Sequence, residues 1–341
     1  MMKAGAPIPA HSAWHNQAWH SGVIPAISVV LPTYRRLDTL ALVLESLDAQ
    51  TGLPPGAFEV VVCDDASGDT TPEILRQASA HALHPMTCVV LNEQGGPARA
   101  RNAAIRFVRA QVVLLLGDDI LTPSDLIARH LQWHTAHPAP TEALLGASSW
   151  DDIPPPSIQM RWLEQGGRLF AFNYRDLPVD RPVSGRFFYT CHVSFKKGLF
   201  TQAGGFDESF PFASHEDLEL GMRMERHGMQ LHFDPTLVVR HRHWMDLPSI
   251  CTRIYRMGYS SIHFYHTGSQ PLSRSRALAR KLLMQLFAPA WARRLAVTLA
   301  GSSSVSHPRP LRWRLLLASM YWSGASDASQ GKNPLPPVLY T

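Results

Sequence analysis

The sequence predicts an α/β fold with a parallel sheet, on three observations. Short apolar, β-branched runs recur through the first 135 residues, segments with helical spacing separate them, and polar clusters fall where the runs stop. Ile27–Leu31 (ISVVL) reads as a buried strand ended by Pro32, and Leu37, Leu40, Leu44 and Leu47 then mark a helix. Phe58–Cys63 (FEVVVC) is a second strand. After it, Thr71-Pro72 opens a helix with proline at its first position. Met86–Leu91 and Gln111–Leu116 are the third and fourth strands, with helices over Pro97–Arg109 and Pro123–Thr135. This alternation argues for parallel strands joined by right-handed crossovers.

The pattern loosens beyond Pro138. Trp150–Pro182 is rich in Pro, Gly and Arg and reads as loops over the sheet edge. Arg186–Phe195 reads as a strand, Glu216–His227 as a helix, Gln230–Arg240 as one or two short strands, and Leu247–Tyr265 as a helix. From Gln270 on, basic and apolar residues mix in helical patches, with a linker at Ser302–Pro310. The domain boundaries implied are a flexible arm over 1–24, a catalytic domain over 25–268 and a basic, partly helical extension over 269–341.

The 341 residues are 45% apolar and 17% charged, a composition that excludes a disordered chain. Charge divides unevenly along the chain. Met1–Asp246 holds 20 basic and 26 acidic residues, whereas the remainder holds 12 basic residues and one acid, Asp327. Arg274, Arg276, Arg280, Lys281, Arg293 and Arg294 alternate with Leu282, Leu283, Leu286, Phe287, Trp291 and Leu295. Such a segment suits either an anionic membrane surface or packing against the rest of the protein. No nucleic-acid partner is expected, because no recognised binding module is present. Cys63, Cys88, Cys191 and Cys251 form no CxxC pair, and Met1–Pro25 has no apolar signal-peptide core. A cytoplasmic protein, peripheral at the inner face of the membrane, is the expectation. His11, Trp14, His15, Trp19 and His20 read as part of the flexible arm.

Ligands of parallel α/β sheets bind beyond the carboxyl ends of the strands. Here those ends carry Pro32-Thr33-Tyr34-Arg35, Asp64-Asp65-Ala66-Ser67, Gly95-Gly96-Pro97-Ala98-Arg99-Ala100-Arg101-Asn102 and Gly117-Asp118-Asp119. The order SVVLPTYRR, VVCDDASGDT, GGPARARNAAI, LLLGDDI, GGFDESFPFASHEDLELGMRM and VVRHRHW resembles the family 2 inverting glycosyltransferases of GT-A fold, over about residues 25–245. The GGFDE…ED stretch also resembles the carboxyl half of a galactosyltransferase-like catalytic domain.

The resemblance implies a mixed sheet flanked by helices and a site for a nucleotide-diphosphate sugar, most simply a UDP-sugar. Asp119, with Asp118, matches the DxD-type motif that holds a divalent cation, Mn²⁺ or Mg²⁺, against the leaving diphosphate. Gly117 departs from the family's first Asp and makes Asp119 the expected ligand. His241 matches a histidine that completes the metal site. Asp65 matches the residue that holds base or ribose, flanked by Asp64, Pro32, Thr33, Tyr34 and Arg35. The turn at Gly96, with Arg99, Arg101 and Asn102, offers backbone N–H groups and cations to a phosphate. Asp217 matches the catalytic base and Glu216 its partner in orienting the acceptor. Ser214 and Asp217 could instead form a helix capping box. The absence of QxxRW points to a single transfer, onto a glycan or lipid-linked cell-envelope acceptor. A catalytically inactive GT-A module used as a scaffold, or a nucleotidyltransferase, is the alternative.

Overall fold

The computed structural model describes residues 10–166, 174, 177–267, 273–301 and 310–334. The Ser302–Pro310 linker falls almost wholly outside them, as does part of the Trp150–Pro182 loop region. Two compact units are present: residues 1–151, 174–208 and 216–243 make the first, and 152–173, 209–215 and 244–341 the second.

A nine-stranded mixed sheet organises the first unit, in the order β1-β4-β3-β2-β5-β8-β7-β9-β6. Its centre is the set of parallel strands the sequence predicts: β2 (Ile27–Thr33), β3 (Phe58–Asp64), β4 (Met86–Leu91) and β5 (Val112–Leu116). Nearly every residue of these strands is buried, because helices cover both faces and leave no alternation to read. The intervening helices are α1 (Leu37–Asp48), α2 (Thr71–His81), α3 (Gly96–Ile105) and, after β6 (Ile120–Leu121), α4 (Leu126–Ala136). Pro32 falls beyond the residues that β2 pairs with β5, so its missing N–H leaves no gap in that ladder.

The second half differs from the sequence reading at three strands, and α5 (Ile158–Gly166) is helical within the stretch read as loops. β7 (Glu142–Trp150) occupies a stretch with no expected strand. The strand expected over Arg186–Phe195 shortens to β8 (His192–Lys196), because Gly185–Phe187 forms a 3₁₀ turn. A Cβ at Gly185 would lie 2.2 Å from the carbonyl of Gly221, in α7 (Glu216–Arg226), so the turn is pressed against that helix. β9 (Gln230–His241) is one long strand, parallel to β7 with a bulge at Gly146/Ala147. Helix α6 (Lys197–Ala203) follows β8.

The arm over 1–24 also needs correction where it is described. β1 (His11–His15) pairs antiparallel with β4, and Gln17–Ser21 forms a 3₁₀ turn. The Trp14 indole donates to Ser79 Oγ at 3.3 Å and stacks under Arg76 at 4.4 Å. Two aromatic anchors and a free sheet edge supply the order that local composition does not encode.

In the second unit α5 (Ile158–Gly166) accompanies α8 (Leu247–His266), α9 (Arg274–Phe287), α10 (Ala290–Gly301) and α11 (Pro310–Ser329). Glycines let α8 and α11 approach closely: a Cβ at Gly258 would meet Tyr321 O at 1.8 Å, and one at Gly324 would meet Tyr255 O at 2.0 Å. Tyr255 Oη donates to Asp327 at 2.7 Å. α8 therefore belongs with the basic extension, and the boundary falls at 243/244 instead of 268.

A polar cluster lies inside the sheet's core. His192 Nδ1 faces the carbonyl of Ala147 at 3.1 Å, so that nitrogen carries the proton. His130 Nε2 then donates to His192 Nε2 at 2.9 Å, Ser194 Oγ donates to His130 Nδ1 at 2.9 Å, and His134 Nε2 donates to Ser194 at 2.8 Å. Burial holds His134 down at about 3, His192 at about 4 and His130 well below the usual imidazole range.

Candidate active site

Strand direction collects the site at one edge of the sheet. β2, β3 and β5 run parallel, β8 runs against β5 and β7, and β9 follows β7. The carboxyl ends of β2, β3, β5, β7 and β9 therefore share an edge with the start of β8. That edge carries Thr33, Asp64, Asp118, Asp119, Trp150, Cys191 and His241.

One corner is built around Asp119. Ile120 pairs antiparallel with His241, and Arg242 N–H donates to Asp119 O at 2.8 Å. Asp119 Oδ2 lies 3.2 Å from His241 Nε2 and 3.1 Å from His243 Nδ1. Arg36 Nη1 contacts the same oxygen, and Arg36 Nε lies 3.9 Å from Asp118 Oδ1. Trp150 stacks on His241 with ring centroids 5.2 Å apart. Burial alone would raise the Asp119 carboxyl, but His241, His243 and Arg36 hold it well below the usual carboxylate range. Burial and the adjacent Asp119 push Asp118 up to about 6, while Thr33 Oγ1 donates to it at 2.8 Å. Asp119, His241 and His243 present one ligand atom each, all within 4.8 Å of one another. One carboxylate and two imidazoles facing a common point fit a divalent cation.

A second pocket lies at the ends of β2 and β3. Asp64 Oδ1 accepts from Ser67 Oγ and, at 3.2 Å, from Ser67 N–H. Arg35 adopts φ +52° and is tied to Ser67 by its backbone N–H and its Nε, both at 2.9 Å. Its guanidinium lies over Tyr34 at 5.1 Å. The Asp65 carboxylate accepts from Gly95 N–H at 2.9 Å and Gly96 N–H at 2.7 Å. The turn that was expected to offer those N–H groups to a phosphate thus spends them on Asp65. Gly96 needs glycine for its φ of +83°. Arg99 lies over Gly95, where a Cβ would come within 2.1 Å of its Cδ.

The third corner is the start of α7. Glu216 Oε1 pairs with Arg101 Nη1 at 3.2 Å, both side chains buried. Burial, then the neighbouring Glu216, pushes Asp217 up to about 7. Cys191 links this corner to the first. Burial raises its thiol to about 12, and the carboxylates of both Asp217 and Asp119 act on it in the same direction.

Two residues expected at the donor face elsewhere. The Asn102 amide donates to Phe206 O at 2.9 Å and Glu208 Oε1 at 2.8 Å, and accepts from Phe206 N–H at 2.9 Å. It clamps the GGFDE segment in place. Arg101 is committed to Glu216.

The sequence pattern described as "Glycosyl transferase family 2" matches residues 28–147, which contain the second pocket and, from the first corner, Arg36, Asp118 and Asp119. Residues 28–147 thus carry a family 2 glycosyltransferase domain. The chain is 33% identical over 230 residues to a validoxylamine A glucosyltransferase of Streptomyces hygroscopicus subsp. limoneus, covering 61% of this chain and 49% of that one. Over 106 residues it is 32% identical to an undecaprenyl-phosphate 4-deoxy-4-formamido-L-arabinose transferase of Pseudomonas savastanoi pv. phaseolicola, covering 31% of this chain and 32% of that one. The chain spans about half the length of the validoxylamine relatives it matches. In fold it is similar to a mannosyltransferase of Pyrobaculum calidifontis in complex with GDP-Man and Mn²⁺, with a TM-score of 0.60 and 18% identity over 92% of this chain and 89% of that one. It is also similar to S. aureus TarS in complex with UDP, with a TM-score of 0.50 and 17% identity over 90% of this chain and 92% of that one. These likenesses place it in the GT-A fold.

Within this family 2 domain the sequence departs from the expected motif at Gly117, where there is no room for a side chain. A Cβ there would lie 2.8 Å from Asp119 Oδ1 and 3.1 Å from Ile120 Cγ1. The sequence reading placed His241 at the metal and assigned no role to His243 or Arg36. A signal existed for both: His243 sits two residues from His241, the spacing that returns to one face of an extended chain, and Arg36 follows Arg35 in the YRR run.

Proposed function

We propose that this chain transfers one sugar from a nucleotide-diphosphate sugar, a UDP-sugar foremost, to an acceptor hydroxyl, with inversion. The observation that carries the proposal is the carboxylate–imidazole donor set of Asp119, His241 and His243, gathered within 4.8 Å at the carboxyl edge of the sheet. Asp119, His241 and His243 would hold a divalent cation, which supplies positive charge to the departing diphosphate. Two imidazoles tilt the choice from Mg²⁺ toward a transition ion such as Mn²⁺, the ion named with the Pyrobaculum mannosyltransferase. Asp217 takes the proton of the acceptor hydroxyl, and its raised value makes it a stronger base than an exposed carboxylate. The acceptor oxygen attacks the anomeric carbon from the face opposite the diphosphate, so a single displacement inverts the centre. Arg101 holds Glu216 beside that base. Asp64, Asp65, Thr33, Tyr34 and Arg35 line the side for base and ribose. The validoxylamine and undecaprenyl-phosphate relatives support an acceptor that is a glycan-like or lipid-linked hydroxyl compound.

The basic extension supports attachment to an anionic membrane surface. Leu278, Leu282 and Leu286 line one face of α9 at helical spacing and are each more than half exposed, as are Trp291 and Leu295 on α10. Arg274, Lys281 and Arg294 are exposed on the same two helices. Among the described residues no helix is long and apolar enough to cross a membrane.

Calorimetry of UDP binding with and without Mn²⁺ tests the catalytic reading. Metal-dependent binding is expected in the parent and in Asp217→Asn, and is lost in Asp119→Ala. Donor hydrolysis or transfer is expected to vanish in Asp217→Asn. UDP binding with no turnover on any nucleotide-sugar would overturn the catalytic reading. Sedimentation with phosphatidylglycerol vesicles, compared with phosphatidylcholine, tests the surface through Leu282→Glu/Leu286→Glu.

A further inference from the structure

We infer that Arg36 is an exchangeable counter-ion: it occupies the cation side of Asp119 in the unliganded protein and is handed to the donor diphosphate when a metal ion arrives. The inference rests on the cation centre proposed above and extends it to the order in which ligands bind.

The backbone aims Arg36 inward. Arg35 sits at φ +52°, a conformation an L-residue takes only under constraint, and two hydrogen bonds to Ser67 hold it there. That turn points Arg36, the residue just before α1, back at Asp118 and Asp119. Arg36 Nη1 then meets Asp119 Oδ2, the oxygen that also faces His241 and His243. A metal ion bound by Asp119, His241 and His243 needs that oxygen's lone pairs, so guanidinium and cation compete for it.

Exposure separates the two partners. The Arg36 side chain is 33% exposed, whereas Asp118 and Asp119 are 13% and 11% exposed. The carboxylates are fixed, and Arg36 reaches them from the solvent side, so it can leave without disturbing the sheet edge. A released guanidinium stays within a side chain's length of the cation. Its planar fork matches two phosphate oxygens. The same residue therefore opposes metal binding before the donor is present and favours the donor afterwards.

This sign reversal is the test. Mn²⁺ affinity is read by the electron paramagnetic resonance of free Mn²⁺, without nucleotide and without turnover. UDP affinity is read by calorimetry at saturating Mn²⁺. Removing one charge-assisted contact predicts that Arg36→Gln binds Mn²⁺ about tenfold more tightly and UDP about tenfold more weakly. Arg36→Lys keeps the charge without the fork, and is expected between the parent and Arg36→Gln on both scales. Parent and variants are compared at equal thermal midpoints, with Arg36→Lys as the guard against misfolding. Arg36→Gln weakening both ligands together would mean that Arg36 only supports the corner, and that result overturns the exchange. Unchanged affinities for both ligands overturn it equally. A parent that binds no Mn²⁺ at all sinks the cation centre itself, a failure distinct from the first two.

Discussion

Two histidine clusters built on the same sheet do opposite things with the same side chain. His241 and His243 sit at the edge and face a carboxylate, Asp119. His130 and His134 project from α4 onto His192 of β8, and the three face one another, a serine hydroxyl and a backbone carbonyl. In the second cluster every tautomer is fixed by a neighbour, and the chain of donors ends on Ala147 O with no anion to offer a cation. In the first, both rings converge on one negatively charged oxygen. A fixed charge at the sheet edge, and not the count of histidines, is what suits the first cluster to a cation.

The largest expected effect would break the comparison at its functional end. Asp119→Ala should lower kcat/KM at least about a thousandfold, because the charge facing the leaving diphosphate loses its anchor. His192→Ala should act on stability instead. It strands the buried His130 Nε2–H, costing about 1–3 kcal/mol in denaturant unfolding, and leaves the UDP affinity of the folded protein unchanged. An altered UDP affinity in His192→Ala would show that the inner cluster reaches the site.

Next in size is a pH effect on turnover. The proposed base Asp217 must be ionised to accept a proton, and burial pushes its carboxyl up to about 7. A kcat/KM profile should therefore fall about tenfold per pH unit below that value and level off above it.

Gly146→Ala sharpens the inner half. Its Cβ would lie 2.0 Å from His192 Cε1, and overpacking of this kind costs about 1–3 kcal/mol. Acid lability tests the same half. The inner histidines are held below the unfolded value of 6.5, so the unfolded chain binds more protons as pH falls beneath it. Stability should be flat above about 6.5 and decline toward pH 4, by up to about 1.4 kcal/mol per pH unit for each histidine. His192→Gln should shallow that decline.

The four parallel strands were legible because each is a contiguous apolar run buried on both faces, and the clusters at their ends were legible because loops must follow strands. Thr33, Asp64, Asp65, Asp118, Asp119, Glu216 and Asp217 could all be named from the order of motifs. β1 and β7 were not legible. β1 is held by Trp14 against Ser79 and Arg76, and β7 by strands distant in sequence. Asn102 and Arg101 looked like phosphate ligands because they follow a Gly-Gly turn. Their partners, Phe206, Glu208 and Glu216, lie more than 100 residues away and took them first.

Local sequence alone determined where the chain extends, turns and concentrates its carboxylates, since those follow from side-chain volume, backbone freedom and charge within a few residues. Which atoms meet was decided by tertiary structure. The antiparallel pairing of Ile120 with His241 carries two histidines to Asp119 across more than 120 residues, and the left-handed turn at Arg35 delivers Arg36 to the same oxygen. Such contacts depend on strand register and loop geometry, which the packing of the whole sheet fixes.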